Sequence, residues 1–110
     1  MSASVVHKPE NNRFEIYLED ERVGLMDYEL VGSEIRLTHT EVDPAHQGKN
    51  LAAILLRESL DTIRVQQMGK VVPICSYTVK YMEKHPETQD LLLNPIEEAI
   101  AACRWPGAKP

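Results

Sequence analysis

The chain has 110 residues, 43% hydrophobic and 26% charged, with a formal net charge of −5, which suits one globular domain with a core that needs no metal or disulfide. The acidic balance argues against nucleic acid or an anionic membrane as the main partner, since both select a basic face, and no apolar run approaches a membrane span. Met1–Glu10 lacks a signal-peptide core, and Cys75 and Cys103 show neither CxxC nor metal-ligand spacing, so free thiols in a reducing, cytoplasmic setting are expected.

Residues 1–12 are polar and unpatterned and are expected to form a flexible lead. Arg13–Glu19 alternates, with Phe14, Ile16 and Leu18 on one face, and reads as a strand. After the turn Glu19-Asp20-Glu21, a second strand runs over Arg22–Val31 and ends at Gly32-Ser33. Glu34–Val42 alternates again, which places Ile35, Leu37, His39 and Glu41 on one side and Thr38, Thr40 and Val42 on the other. These three strands, joined by short turns, make an antiparallel meander. Asp43-Pro44 stops the third strand, and Ala45–Asn50 is a polar loop. From Leu51 to Met68 the spacing predicts a helix, with Gly69 as its stop. Lys70–Cys75 is nearly all apolar and suits a strand buried on both faces; Pro73 removes a ladder donor and points to a bulge or a splayed pairing. A helix over Ser76–Lys84, an apolar piece at Leu91–Leu93 and a last helix over Pro95–Cys103 complete an α+β chain, with Arg104–Pro110 as a tail. Met26, Met68 and Met82 read as core filler.

A helix that links the third strand to a buried fourth is a crossover unit, and such units favour ligands at the carboxyl end of their first strand. The segment His46-Gln47-Gly48-Lys49-Asn50-Leu51-Ala52 lies there. A helix N-terminus offers unpaired N–H donors and a partial positive charge. Gly48 permits close backbone approach, Lys49 adds a cation, and small Ala52 lets the helix pack near the strands. The segment reads either as a diphosphate cradle or as a plain strand-to-helix turn with an exposed lysine. It matches neither GxxxxGK[ST] nor GxGxxG.

Thr38-His39-Thr40-Glu41-Val42, Gln47-Gly48-Lys49-Asn50-Leu51-Ala52 and Val71-Val72-Pro73-Ile74-Cys75-Ser76-Tyr77, followed by Tyr81 and His85-Pro86-Glu87, occur in an order and spacing that resembles the short GNAT-superfamily acetyltransferase-like proteins. The resemblance covers about Arg13 to Leu93. It implies a compact GNAT-like acyl-CoA-binding domain over 13–93, with 94–110 as a C-terminal helix and tail. It further implies acetyl-CoA as cofactor, held at Val42, Gln47, Gly48, Lys49, Asn50, Leu51, Ala52 and Tyr81, with the pantetheine arm between the strands ending at Val42 and Cys75. Asn50 stands where the superfamily usually has glycine. Asparagine tolerates left-handed backbone and is also a good N-cap.

Acetyl transfer needs a base, an oxyanion donor and a proton for the leaving thiolate. Cys75 precedes a helix, a position that favours the thiolate. His39 lies on the third strand, and Tyr77 and Tyr81 sit one helical turn apart. By residue type alone these are equally a packed cysteine, a structural histidine and half-buried tyrosines. The resemblance implies a Cys75/His39 site; either Tyr77 or Tyr81 could protonate the thiolate, and Tyr77 is the expected acid. Two routes stay open: Cys75 carries the acetyl group, or an amine attacks directly with His39 or Glu41 as base. The expected function is an acetyl-CoA-dependent N-acetyltransferase acting on an amine of a small molecule or protein. The alternatives are a non-catalytic acyl-CoA-binding or sensing module and a plain interaction domain. His46 and His85 show no metal pattern. A monomer or weak dimer is expected, with Leu91–Leu93 and Ile96 as apolar surface.

Overall fold

The computed structural model describes residues 3–46 and 50–104, with the backbone alone at 102–104. Its strands are β1 (Ala3–Lys8), β2 (Arg13–Leu18), β3 (Glu21–Val31), β4 (Glu34–Val42) and β5 (Lys70–Pro73). They form one sheet in that order; β1 to β4 are antiparallel, and β5 runs parallel to β4. Helices α1 (Leu51–Gln66), α2 (Ser76–Lys84) and α3 (Ile96–Arg104) complete the expected α+β architecture. Among the described residues no helix is long and apolar enough to cross a membrane.

Residues 3–8, expected within a flexible lead, instead form β1, which pairs with β2 from Ala3↔Leu18 to Lys8↔Arg13. The alternation of Ala3, Val5 and His7 is too short and too polar to stand out in the sequence. It is recruited because β2 offers a free edge: Ala3 and Val5 pack against the core, and the His7 ring stacks on Phe14 at 4.4 Å. Its Nε2 lies 2.7 Å from the Tyr28 hydroxyl.

Helix α1 buries Leu51, Leu55, Leu56, Leu60 and Ile63 along one stripe. They meet Phe14, Ile16, Met26, Tyr28, Ile35 and Leu37 of the sheet in one cluster, which Met82 of α2 and Ile96 of α3 join. Each such leucine contributes about 1.5–3 kcal/mol by leaving water. The helix ends not at Gly69 but at Gln67, whose left-handed backbone (φ 52) sends its N–H to the carbonyls of Ile63 and Arg64. Gly69 serves the next step, since a Cβ there would lie 2.8 Å from the Ser33 carbonyl oxygen, where the chain enters β5.

All of this packing lies on one face of the sheet. The other face carries an ion-paired strip. Arg13 reaches Asp27 at 2.7 Å and Glu15 at 3.7 Å, while Arg22 meets Glu15 at 3.2 Å. The full burial expected for β5 holds for Val71 alone; Val72, Pro73 and Ile74 are half-buried. Pro73 also causes no lost bond to β4. Lys70 N–H donates to Ser33 and Ile74 N–H to Leu37, so alternation turns the Pro73 nitrogen toward the outer edge. The apolar surface expected at Leu91–Leu93 and Ile96 is mostly used internally. Ile96 is buried, Leu91 and Leu92 pack on the core, and Leu92 forms a single bridge to Val71, leaving Leu93 exposed.

Two stability effects follow from these contacts. A Cβ on Gly24 would sit 2.9 Å from both the Glu41 carbonyl oxygen and Ile16 Cγ2. Gly24→Ala is therefore expected to cost about 1–3 kcal/mol, read as a lowered urea midpoint. Glu15 is 5% exposed. Burial pushes its carboxyl up, yet hydrogen bonds from Tyr17 and Arg22 outweigh this and hold it below its ordinary 4.5. A depressed carboxyl stabilises the fold above its ordinary value, and that contribution fades as pH falls through the folded value. Glu15→Gln is expected to flatten the decline of stability on acidification between about pH 5 and pH 2, measured by denaturant titration at each pH.

Candidate active site

The site begins with one extra residue in β4. Register pairs Asp27 with His39 but Tyr28 with Leu37, so Thr38 has no cross-strand partner. Its hydroxyl donates to the Asp27 carbonyl at 3.3 Å. A one-residue bulge reverses the alternation beyond it. Ile35 and Leu37 point into the core, and past the bulge it is Thr40 and Val42 that continue on this side. His39 and Glu41 turn instead to the open, ion-paired face, with side chains 55% and 62% exposed. The expectation that they share the face of Ile35 and Leu37 is thereby corrected.

Beyond Leu37 the two parallel strands part. The Leu37 carbonyl accepts from Ile74 at 3.0 Å and from Cys75 at 3.1 Å, after which the chain turns into α2. Asp43 N–H still donates to Val23, so the ladder alternation aims the Thr40 and Val42 amides away from β3, toward the gap. A cavity of about 500 Å³ opens here. Thr40, Glu41 and Val42 of β4 form one wall, with His46 beside them; Asn50, Leu51 and Ala52 form another, and Tyr77 of α2 closes the third.

Ile54 N–H makes the first bond of the α1 ladder, to Asn50, so the amides of Leu51, Ala52 and Ala53 precede the helical ladder. The first turn carries no acidic residue. Asn50 adopts the left-handed conformation expected of it (φ 63, ψ 20), but its side chain makes no capping bond. Left-handed backbone turns the carboxamide away from the donors an N-cap serves. Gln47, Gly48 and Lys49 lie outside the described residues.

The structure thus brings Val42, Asn50, Leu51, Ala52 and Tyr77 to one cavity. Cys75, half-buried with a free thiol, follows the point where β5 leaves β4 and is not among the residues that line this cavity. His39 is not hydrogen-bonded to it; the His39 Nε2 lies 2.9 Å from Glu41 Oε2. Tyr81 is separate. It is buried, stacks on His85 at 4.1 Å and lines a second cavity of about 290 Å³ beside Arg57 and Glu87. Burial raises its hydroxyl pKa. Two further wall residues, Thr40 and His46, lie within the sequence segments that point to the site but have no expected role in it. Glu21, Asp43 and His46 place carboxylate and imidazole atoms within 4.8 Å of one another on the exposed rim, a grouping only the fold creates.

Comparison with known proteins agrees with this fold. Residues 13–91 match the GCN5-related N-acetyl-transferase family. Protein NATD1 of Mus musculus is 34% identical over 90 residues, covering 79% of this chain and 80% of its own, and Protein NATD1 of Xenopus tropicalis is 32% identical over 93 residues. A GCN5-like protein of Staphylococcus aureus superposes with a TM-score of 0.63 at 25% identity, covering 83% of this chain and 88% of its own. The ribosomal-protein-S18-alanine N-acetyltransferase of Escherichia coli shares the fold at a TM-score of 0.56 and 17% identity, over 66% of this chain and 49% of its own. By sequence and fold together, the chain belongs to the GCN5-related N-acetyl-transferase family.

Proposed function

We propose that this acetyltransferase moves the acetyl group of acetyl-CoA to a primary amine, with the diphosphate at the start of α1 and the acyl arm in the gap between β4 and β5. The observation that carries the reading is the cavity beyond Leu37, which joins the unladdered amides of α1 to the point where the strands part. The wall suits such a guest. Amides of Leu51, Ala52 and Ala53 fit an anionic diphosphate, and no carboxylate in the first turn opposes it. Among the described residues the buried Thr40 hydroxyl in this wall has no hydrogen-bond partner, a polar group that an amide-bearing arm would satisfy.

When bound, acetyl-CoA supplies an activated acetyl thioester. The protein's part is to hold and move protons around it. His39, on the open face, takes the proton that the amine loses as it attacks. Tyr77, 43% exposed on the cavity wall, gives one to the departing thiolate. The two transfers balance, and exchange with water restores both groups. The Thr40 amide, aimed at the gap, is placed to receive charge on a carbonyl oxygen. A relay through Cys75 is the second reading, favoured by its position at the parting of the strands.

Binding is tested by calorimetry with CoA. Asn50→Gly keeps the left-handed turn and should bind within about threefold of wild type; Asn50→Val strains it by roughly 1–3 kcal/mol and should bind about tenfold or more weakly. No heat with wild type would end the reading. Turnover is tested by thiol release with an amine panel. His39→Ala should lower kcat by about 10²–10⁴ with little change in KM for acetyl-CoA. In direct transfer Cys75→Ala stays active and no acetylated protein accumulates by intact mass; an adduct lost in Cys75→Ala would establish the relay instead.

A further inference from the structure

We infer that Glu41 is a positioning residue for His39, fixing the ring so that Nδ1 is the atom that receives the amine proton. The inference rests on the proposed role of His39 as base and adds which nitrogen acts and what orients it.

A carboxylate can only accept, so the His39 nitrogen 2.9 Å from Glu41 Oε2 must carry the hydrogen. That nitrogen is Nε2. In the neutral ring the lone pair then resides on Nδ1, because the hydrogen bond made by one nitrogen decides the state of the other. The Thr38 bulge makes the pairing possible. His39 and Glu41 are two residues apart in an extended strand, hence on one face, and the bulge selects the face away from the packed core.

The neighbours of His39 leave Glu41 without a rival. Its cross-strand partner is Asp27, the carboxylate best placed to compete. Arg13 holds Asp27 at 2.7 Å and is itself tethered toward Glu15 at 3.7 Å. Arg22 and Tyr17 anchor Glu15 in turn, at 3.2 Å and 2.7 Å. The ion-paired strip thus occupies the competing acid and leaves the imidazole to Glu41. Glu41 also lines the cavity wall next to Thr40 and Val42, so the residue that holds the ring is itself part of that wall. An exposed pair of this kind adds little to stability, so its removal leaves a folded protein whose turnover can be read.

The test uses the whole chain. Long-range proton–nitrogen correlation on the protein labelled with ¹⁵N, at a pH where the ring is neutral, should show His39 with Nε2 protonated and Nδ1 bare. Glu41→Ala should average the two nitrogens and lower kcat about tenfold, with KM for acetyl-CoA and the urea midpoint near wild type. Glu41→Gln, which keeps an accepting oxygen, should recover most of that loss. A protonated Nδ1 in wild type, or an unchanged kcat in Glu41→Ala, overturns the inference. Full activity in His39→Ala would remove the base itself, a failure distinct from an essential His39 that is indifferent to Glu41.

Discussion

The carbonyl of Leu37 is the last point at which β4 and β5 share a ladder. It accepts from two successive amides, Ile74 and Cys75, and this doubled contact spends the last pairing available before the chain turns into α2. Everything at the site is arranged around the gap that follows. On the packed side the gap meets the start of α1, where three amides precede the helical ladder. On the far side it meets His39 and Glu41. A sheet that stayed closed to Val42 would have consumed the outward amides of Thr40 and left no cavity between strand and helix.

The sheet face that lacks helices is stabilised by a different kind of chemistry. Glu15 is nearly buried there, yet it is satisfied by Tyr17, Arg22 and Arg13, so its charge is retained. Such pairs add little stability when exposed, but a buried carboxylate without its partners would be costly. The strip therefore explains how a small chain keeps one sheet face open to solvent. It also keeps Asp27 occupied beside His39, which ties the integrity of that face to the order of the site.

Core and site differ in what they demand. The core asks for apolar volume at the right period, and Leu51, Leu55, Leu56, Leu60 and Ile63 meet it with side chains that have no preferred partner. The site asks for particular atoms in particular directions. Tyr77 and Tyr81 make the contrast within one helix. They are one turn apart, yet one is exposed at the cavity beside β4, and the other is buried against His85 in a separate hollow.

The meander, the crossover helix and the helix over Ser76–Lys84 were legible in the chain, because period-two and helical spacing report burial directly. The left-handed turn at Asn50 was legible only through the family resemblance, because asparagine stands where the superfamily usually has glycine. What the order of residues could not supply was the face on which His39 and Glu41 stand. Alternation counts every residue equally, whereas the Thr38 bulge depends on how β3 and β4 register across the sheet. Strand β1 escaped notice for a related reason: its stability comes from the free edge of β2, not from its own composition. Local pattern determined the meander, the crossover helix and where that helix starts. Only long-range pairing decided which side chains meet at the gap, since directions set by register are properties of two strands and not of one.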